Sequence, residues 1–112
     1  MMIYRRKMYR VSPRIIDDFN LHFNRTLLPT QLKYGSRLVG RWMKEDTDGE
    51  VEVFAIWEYD SYEEYERIEA NVRGDVAHVK RVQDWYGKWG GRENLKEHFY
   101  RIDQDFIDST VT

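Results

Sequence analysis

Leu38-Val39-Gly40-Arg41-Trp42-Met43-Lys44-Glu45, followed by Asp46-Thr47-Asp48-Gly49 and then by Val51-Glu52-Val53-Phe54-Ala55-Ile56-Trp57-Glu58-Tyr59, is the stretch that decides the fold. Two apolar runs joined by a short Asp-Gly turn read as a β-hairpin. In its second strand Val53, Ala55 and Trp57 point one way while Phe54 and Ile56 point the other. Apolar residues on both faces mark a strand covered on both sides, hence a central one.

Downstream, Ser61-Tyr62-Glu63-Glu64 is a capping box: the Ser61 side chain accepts from the third residue's N–H, and Glu64 reaches back. The helix it opens aligns Tyr62, Tyr65, Ile68 and Val72, and Gly74 interrupts it. A further helix is predicted from about residue 75 to 88, stopping near Gly90-Gly91, and a last strand over about 98–107 with a frayed tail. Upstream, residues 2–11 read as a strand with one wet face. Ser12-Pro13 supplies an N-cap and a proline at the first helical position. Ile15, Ile16, Phe19, Phe23 and Leu27 then share one helical stripe. Pro29 is expected to end or kink this helix, and Gly35 to close the segment 30–34.

Strand, helix, hairpin, helical region, strand is the β-α-β-β-α-β order of a ferredoxin-like α+β fold with an extra helical segment, here read as one domain over residues 1–112. Such a sheet carries helices on one face only. The other face, with Phe54 and Ile56 or with Trp57, needs cover that this chain does not contain, and a second copy in a homodimer is the economical answer.

Composition excludes several classes. The net charge of −2 favours neither a polyanion nor an anionic membrane as partner. Without cysteine there is no disulfide, thiolate chemistry or Cys-ligated metal. No apolar run approaches a membrane span, and the start Met1-Met2-Ile3-Tyr4-Arg5-Arg6-Lys7 lacks a signal peptide's apolar stretch, so a soluble cytoplasmic protein is expected. Four Trp, eight Tyr and five Phe are many for 112 residues.

Candidate chemistry is sparse. Of the histidines, His22 falls at the edge of the first helical stripe, as a boundary residue bonded to backbone or water, and His98 heads the last strand. No two stand at a metal-motif spacing. On the helix after Gly74, His78 joins Val76, Val79, Val82, Trp85, Tyr86 and Trp89 across about half the circumference, wider than packing on one sheet requires. The surplus faces a partner chain, a ligand or the underside of the first helix. Two readings of His78 follow: a satisfied core or dimer contact, or an imidazole pointing into an indole-walled pocket.

Other features read as structural. Asp46 to Gly49 is a turn rather than a calcium loop, because no glutamate closes it at the twelfth position. Gly90-Gly91-Arg92 is a connector, and Asn24-Arg25-Thr26 is a chance sequon on a helix. Arg5, Arg6, Lys7 and Arg10 form a basic strand edge, expected to be a solvated face. Asp17-Asp18 and Glu63-Glu64 complement helix dipoles.

Leu27-Leu28-Pro29, Lys33-Tyr34-Gly35, Leu38-Val39-Gly40-Arg41-Trp42 and the run Ala55-Ile56-Trp57-Glu58-Tyr59-Asp60-Ser61-Tyr62 together resemble the NIPSNAP family in order and spacing. The resemblance implies a dimeric α+β barrel of two ferredoxin-like subunits and no settled activity. The wider superfamily includes antibiotic-biosynthesis monooxygenases, heme-degrading monooxygenases and chlorite dismutases. His78 follows Ser61 at a spacing similar to that of the heme-binding histidine in the heme degraders. Ile68 stands where those enzymes have a Trp, and Arg6 or Lys7 where they have an Asn. The resemblance therefore implies heme as a cofactor at His78 without the full oxygenation machinery.

The expected site is a pocket between the sheet and its helices for a small hydrophobic or aromatic ligand. Trp57, Trp85 and Tyr65 would be its walls, Arg41 an anchor for a carboxylate or propionate, and His78 the iron ligand or general acid/base of a heme-linked or cofactor-independent monooxygenase-type reaction. The alternative is a non-catalytic binding or scaffolding module whose aromatics bury a homo-oligomer interface.

Overall fold

The computed structural model describes residues 2–46 and 48–111. Met1, Thr47 and Thr112 lie outside it, so of the expected turn Asp46 to Gly49 the second residue is not among the described ones. The elements run β1 (Ile3–Val11), α1 (Ile16–His22), a π-helical turn (Phe23–Leu27), α2 (Leu28–Lys33), β2 (Arg37–Glu45), β3 (Val51–Tyr59), α3 (Tyr62–Gly74), α4 (Val76–Lys88), α5 (Arg92–Lys96) and β4 (Phe99–Ile107). The four strands form one antiparallel sheet in the order β2-β3-β1-β4, the ferredoxin-like arrangement.

Register sorts the side chains into two faces, because residues directly opposite one another in a ladder share a face. One interior row is Arg41–Ala55–Lys7–Gln104, flanked by Met43–Val53–Tyr9–Ile102 and Leu38–Trp57–Arg5–Phe106. These residues look toward the helices. The opposite face carries Trp42, Phe54, Ile56 and Met8 among charged pairs such as Arg6 with Asp105 and Arg37 with Glu58. Along β3 the burial alternates residue by residue, with Val51, Val53, Ala55, Trp57 and Tyr59 inside. Phe54 and Ile56 stay half-exposed, so the central strand is covered by this chain on one face only.

Each edge strand carries one residue more than its neighbour can pair. Val39 is the extra residue of β2, where the register shifts between Leu38 and Gly40, and Tyr100 is that of β4, opposite the step from Arg10 to Val11. Both side chains are exposed. Beyond the bulge, the Trp42 indole lies over Gly40, where a Cβ would run into the ring.

The helices pack two clusters onto the inner face. Val11, Ile15, Ile16, Phe19, Val51, Val53 and Leu95 form one, at the β4 and α5 end. Phe23, Ala55, Trp57, Tyr59, Ile68 and Val72 form the other, under α3.

Several local expectations are corrected. Ser12 does not cap a helix that starts at Pro13: its Oγ accepts from the Arg14 N–H at 3.1 Å in a turn, and the helix begins at Ile16. Pro29 neither ends nor breaks the helical run. The π-helical turn before it widens the ladder, closing with the Leu28 N–H on the Phe23 carbonyl, and Pro29 follows in the first turn of α2, where a missing N–H is tolerated. Gly35 does terminate the run, at φ 109°. Ser61 caps α3 by accepting from the Glu64 N–H at 3.1 Å, but the Glu64 carboxylate turns to Arg67 rather than back to the cap. Arg92 after the glycine pair opens the short helix α5 instead of a plain connector.

The largest correction concerns β1. It is not an edge but lies between β3 and β4. Its basic residues therefore divide: Arg6 and Arg10 face outward, while Arg5 and Lys7 face the helices. Arg5 is only 5% exposed.

Candidate functional site

Between the inner sheet face and the helices two cavities adjoin. One, of about 260 Å³, is lined by Arg5, Lys7, Arg41, Trp57, Glu69 and His78 among others. The second, of about 310 Å³, runs toward Trp85, Arg92, Leu95 and Phe99. Lys7, Tyr9, Phe19, Leu27 and Tyr86 border both, so the two spaces adjoin along the sheet. Ala55 explains the room at its floor: on the central row its methyl group lies between the long side chains of Arg41 and Lys7 on the flanking strands.

His78 reaches this space from α4. Asp75 is the N-cap of α4, accepting the His78 N–H at 3.0 Å, the Tyr34 hydroxyl at 2.8 Å and the Lys33 ammonium at 3.3 Å. The His78 backbone N–H above all, with the Tyr34 and Lys33 donors, holds the Asp75 carboxyl down at about 2. The first turn of α4 is thus tied to the end of α2, which fixes where His78 points. The imidazole is 6% exposed, and its Nδ1 has no hydrogen-bond partner among the described residues. Burial, and Arg81 after it, lower its pKa below 6.5, so the ring is neutral at pH 7.

Arg41 enters from β2. Its Nη1 donates to Asn20 Oδ1 at 2.6 Å, and its guanidinium lies 4.3 Å from the centre of the Phe23 ring and 5.1 Å from that of Phe19. Its Nη2 is buried without a partner among the described residues. Burial pushes the guanidinium down to about 10, still charged at neutral pH. Arg5 donates to Gln104 Oε1 at 3.1 Å and sits 3.7 Å from Glu69, while its Nε is buried and has no partner among the described residues.

The wide arc of α4 resolves onto the first helix. Trp85 and Trp89 both donate to Asp18 of α1, at 3.0 and 2.6 Å, and Lys88 joins them at 3.2 Å. Burial pushes the Asp18 carboxyl up, but these three donors outweigh it and hold it below its ordinary value. His22 is no boundary residue: it is buried and stacked on Trp85 at 4.2 Å between ring centres. Val76 leaves the arc, at 82% exposure, since nothing covers that side of the first turn of α4.

Of the residues expected at the site, His78, Arg41 and Trp57 border the 260 Å³ cavity and Trp85 the adjoining one. Tyr65 lines neither cavity. It packs edge-on to Tyr59 and Phe106, with the Arg5 guanidinium 5.1 Å from its ring. Arg5 and Lys7 were missed at this site. The signal for them was strand alternation, which puts every second residue of the basic run on the inner face once β1 is known to be interior.

Heme does not fit these surroundings. A ligating imidazole is normally oriented by an acceptor for its other ring nitrogen, and the His78 Nδ1 has none among the described residues. Among the described residues no three His, Asp or Glu side chains converge as a metal cluster, and no helix is long and apolar enough to cross a membrane.

A family model for NIPSNAP matches residues 4–89, more than half of the chain. The chain belongs to the NIPSNAP family. Solved structures of the family share the fold. An uncharacterised NIPSNAP-like domain protein from Burkholderia xenovorans superposes with a TM-score of 0.72 at 20% identity, over 99% of this chain and 88% of that one. A NIPSNAP family protein from Agrobacterium tumefaciens gives 0.73 at 15%, over 98% and 94%. Another from the same organism, described as of unknown function, gives 0.71 at 14%, over 95% and 86%. No match is found among curated proteins. At these identities the NIPSNAP structures establish the fold and leave the chemistry of the cavity to its own residues.

Proposed function

We propose that this NIPSNAP protein is a homodimer whose subunits each bind a small, largely hydrophobic or aromatic ligand in the space between sheet and helices. The observation that carries the reading is the cavity itself. A domain of this size ordinarily closes its interior to near crystal density, yet here the aromatic rings of Phe19, Phe23, Trp57 and Tyr86 surround open volume. His78, neutral and buried at its edge, is the group that would exchange a proton with a bound molecule.

The test is titration with 2-naphthylmethanol, an uncharged bicyclic probe, followed by calorimetry and tryptophan fluorescence. Saturable binding of one probe per chain is expected in the wild type, with at least a tenfold loss in Ala55→Leu, whose side chain fills the floor. Absence of binding, or equal binding by a folded Ala55→Leu, would sink the reading.

Self-association is supported by the outer sheet face. Trp42 and Phe54 lie 5.4 Å apart at its centre beside Ile56 and Met8, and ion pairs such as Arg6–Asp105 and Arg37–Glu58 are satisfied within the face. An apolar centre with its charges already paired suits an isologous contact with the same face of a second copy. Sedimentation equilibrium is expected to give twice the 13.7 kDa chain mass for the wild type and a folded monomer for Phe54→Asp. A wild-type monomer would refute the dimer without touching the cavity.

A further inference from the structure

The cavity floor is more cationic than a hydrophobic ligand requires, and its cations are under-used. Arg5, Lys7 and Arg41 border the 260 Å³ space, against the single carboxylate of Glu69. Glu69 is already engaged, 3.7 Å from Arg5 and accepting from Gln31 at 3.2 Å. Arg41 and Lys7 form no ion pair with any described residue, although register brings them to either side of Ala55. Two guanidinium nitrogens, Arg41 Nη2 and Arg5 Nε, are buried with hydrogens that nothing among the described residues accepts. A buried charged donor without an acceptor is costly, and the two residues that carry these nitrogens line the same cavity, which points to an acceptor supplied from outside.

We infer that the ligand is an amphiphilic monocarboxylate: its carboxylate sits over Ala55 between Arg41, Arg5 and Lys7, and its apolar body runs beneath Phe19 toward Trp85 and Phe99. This rests on the reading of the cavity as a ligand site and adds the charge class. A carboxylate matches the donors, since two oxygens can take N–H groups from two guanidinium ions while Lys7 offsets the charge at longer range. The adjoining aromatic cavity, which shares Tyr9 and Tyr86 with the first, gives the body its direction. His78, neutral and bordering the same cavity, is left to hydrogen-bond a polar substituent rather than the carboxylate.

The test compares three ligands sharing one ring system: 2-naphthylmethanol, 2-naphthoate and 2-naphthyl phosphate, each titrated into wild type, Arg41→Met and Arg5→Met at fixed ionic strength. A charge-assisted hydrogen bond in a buried setting predicts that 2-naphthoate binds roughly 10- to 100-fold more tightly than the alcohol. Arg41→Met should erase most of that preference, so that acid and alcohol bind with similar affinity. Equal affinity for acid and alcohol, or a preference that both variants retain, overturns the carboxylate and leaves the cavity reading standing. Tighter binding of the phosphate than of the carboxylate overturns the choice of anion. Failure of all three ligands to bind overturns both readings together.

Discussion

Phe19→Ala is expected to lower the unfolding free energy by about 3–5 kcal/mol, and the melting temperature by roughly 10–25 °C. The ring is 4% exposed, and three aromatic neighbours meet it: Tyr9 and Phe99 edge-on, both at 5.1 Å, and Trp85 at 6.2 Å. Its removal costs the transfer of a large apolar group, the edge-to-face contacts and a void in a place that already borders two cavities. Collapse is blocked, because Tyr9, Phe99 and Trp85 are held from three different elements. Phe19→Leu, which keeps much of the volume without the ring, should lose less than half as much. Urea unfolding of the three proteins decides the matter, and a loss below about 1.5 kcal/mol for the alanine variant would mean that the cluster repacks around the gap.

The second large effect is an acid lability that begins well above the carboxylate range. Burial, with His78 adding to it and Asp18 opposing, lowers the His22 pKa from 6.5 to about 4. The folded state therefore resists protonating a ring that the unfolded chain protonates readily. The stabilisation is complete above pH 6.5, is lost as pH falls toward 4, and levels off below that. Between pH 7 and 4.5 the loss is on the order of 2 kcal/mol, and His78, shifted in the same direction, adds to it. Asp75, whose carboxyl titrates near 2, contributes its own loss only at lower pH, so the two windows separate. His22→Phe keeps a flat ring on Trp85 and removes the titrating group. It should flatten the pH 7 to 4.5 slope measured by urea midpoints, while an unchanged slope would clear His22 of the effect.

How far the sequence carries depends on which facts are local. The hairpin is legible because its two strands are contiguous and their shared turn is written between them. Trp57 and Phe54 can be assigned to opposite faces for the same reason. The helical period alone brings His78, Trp85 and Trp89 to one side of α4. It cannot tell that Asp18, in the first turn of another helix, accepts from both indoles, since a first-turn acid already has an explanation in the helix dipole. Arg5 and Lys7 show the limit more sharply. A strand rich in arginine and lysine reads as an edge, and only the pairing of β1 with both β3 and β4 turns half of those charges inward. Tyr65 fails as a pocket wall for a related reason: its ring packs on Tyr59, Phe106 and the inward Arg5, and it does not line the cavity. The π-helical turn before Pro29 was hidden because no residue type announces it.

The extra residues Val39 and Tyr100 have a consequence for growth. Both outer strands of the sheet would otherwise present straight rows of free N–H and C=O groups, a template on which further copies could add strand after strand. A kink in each row spoils that template at both margins. Any assembly of this chain is thereby steered away from ribbons lengthening without limit.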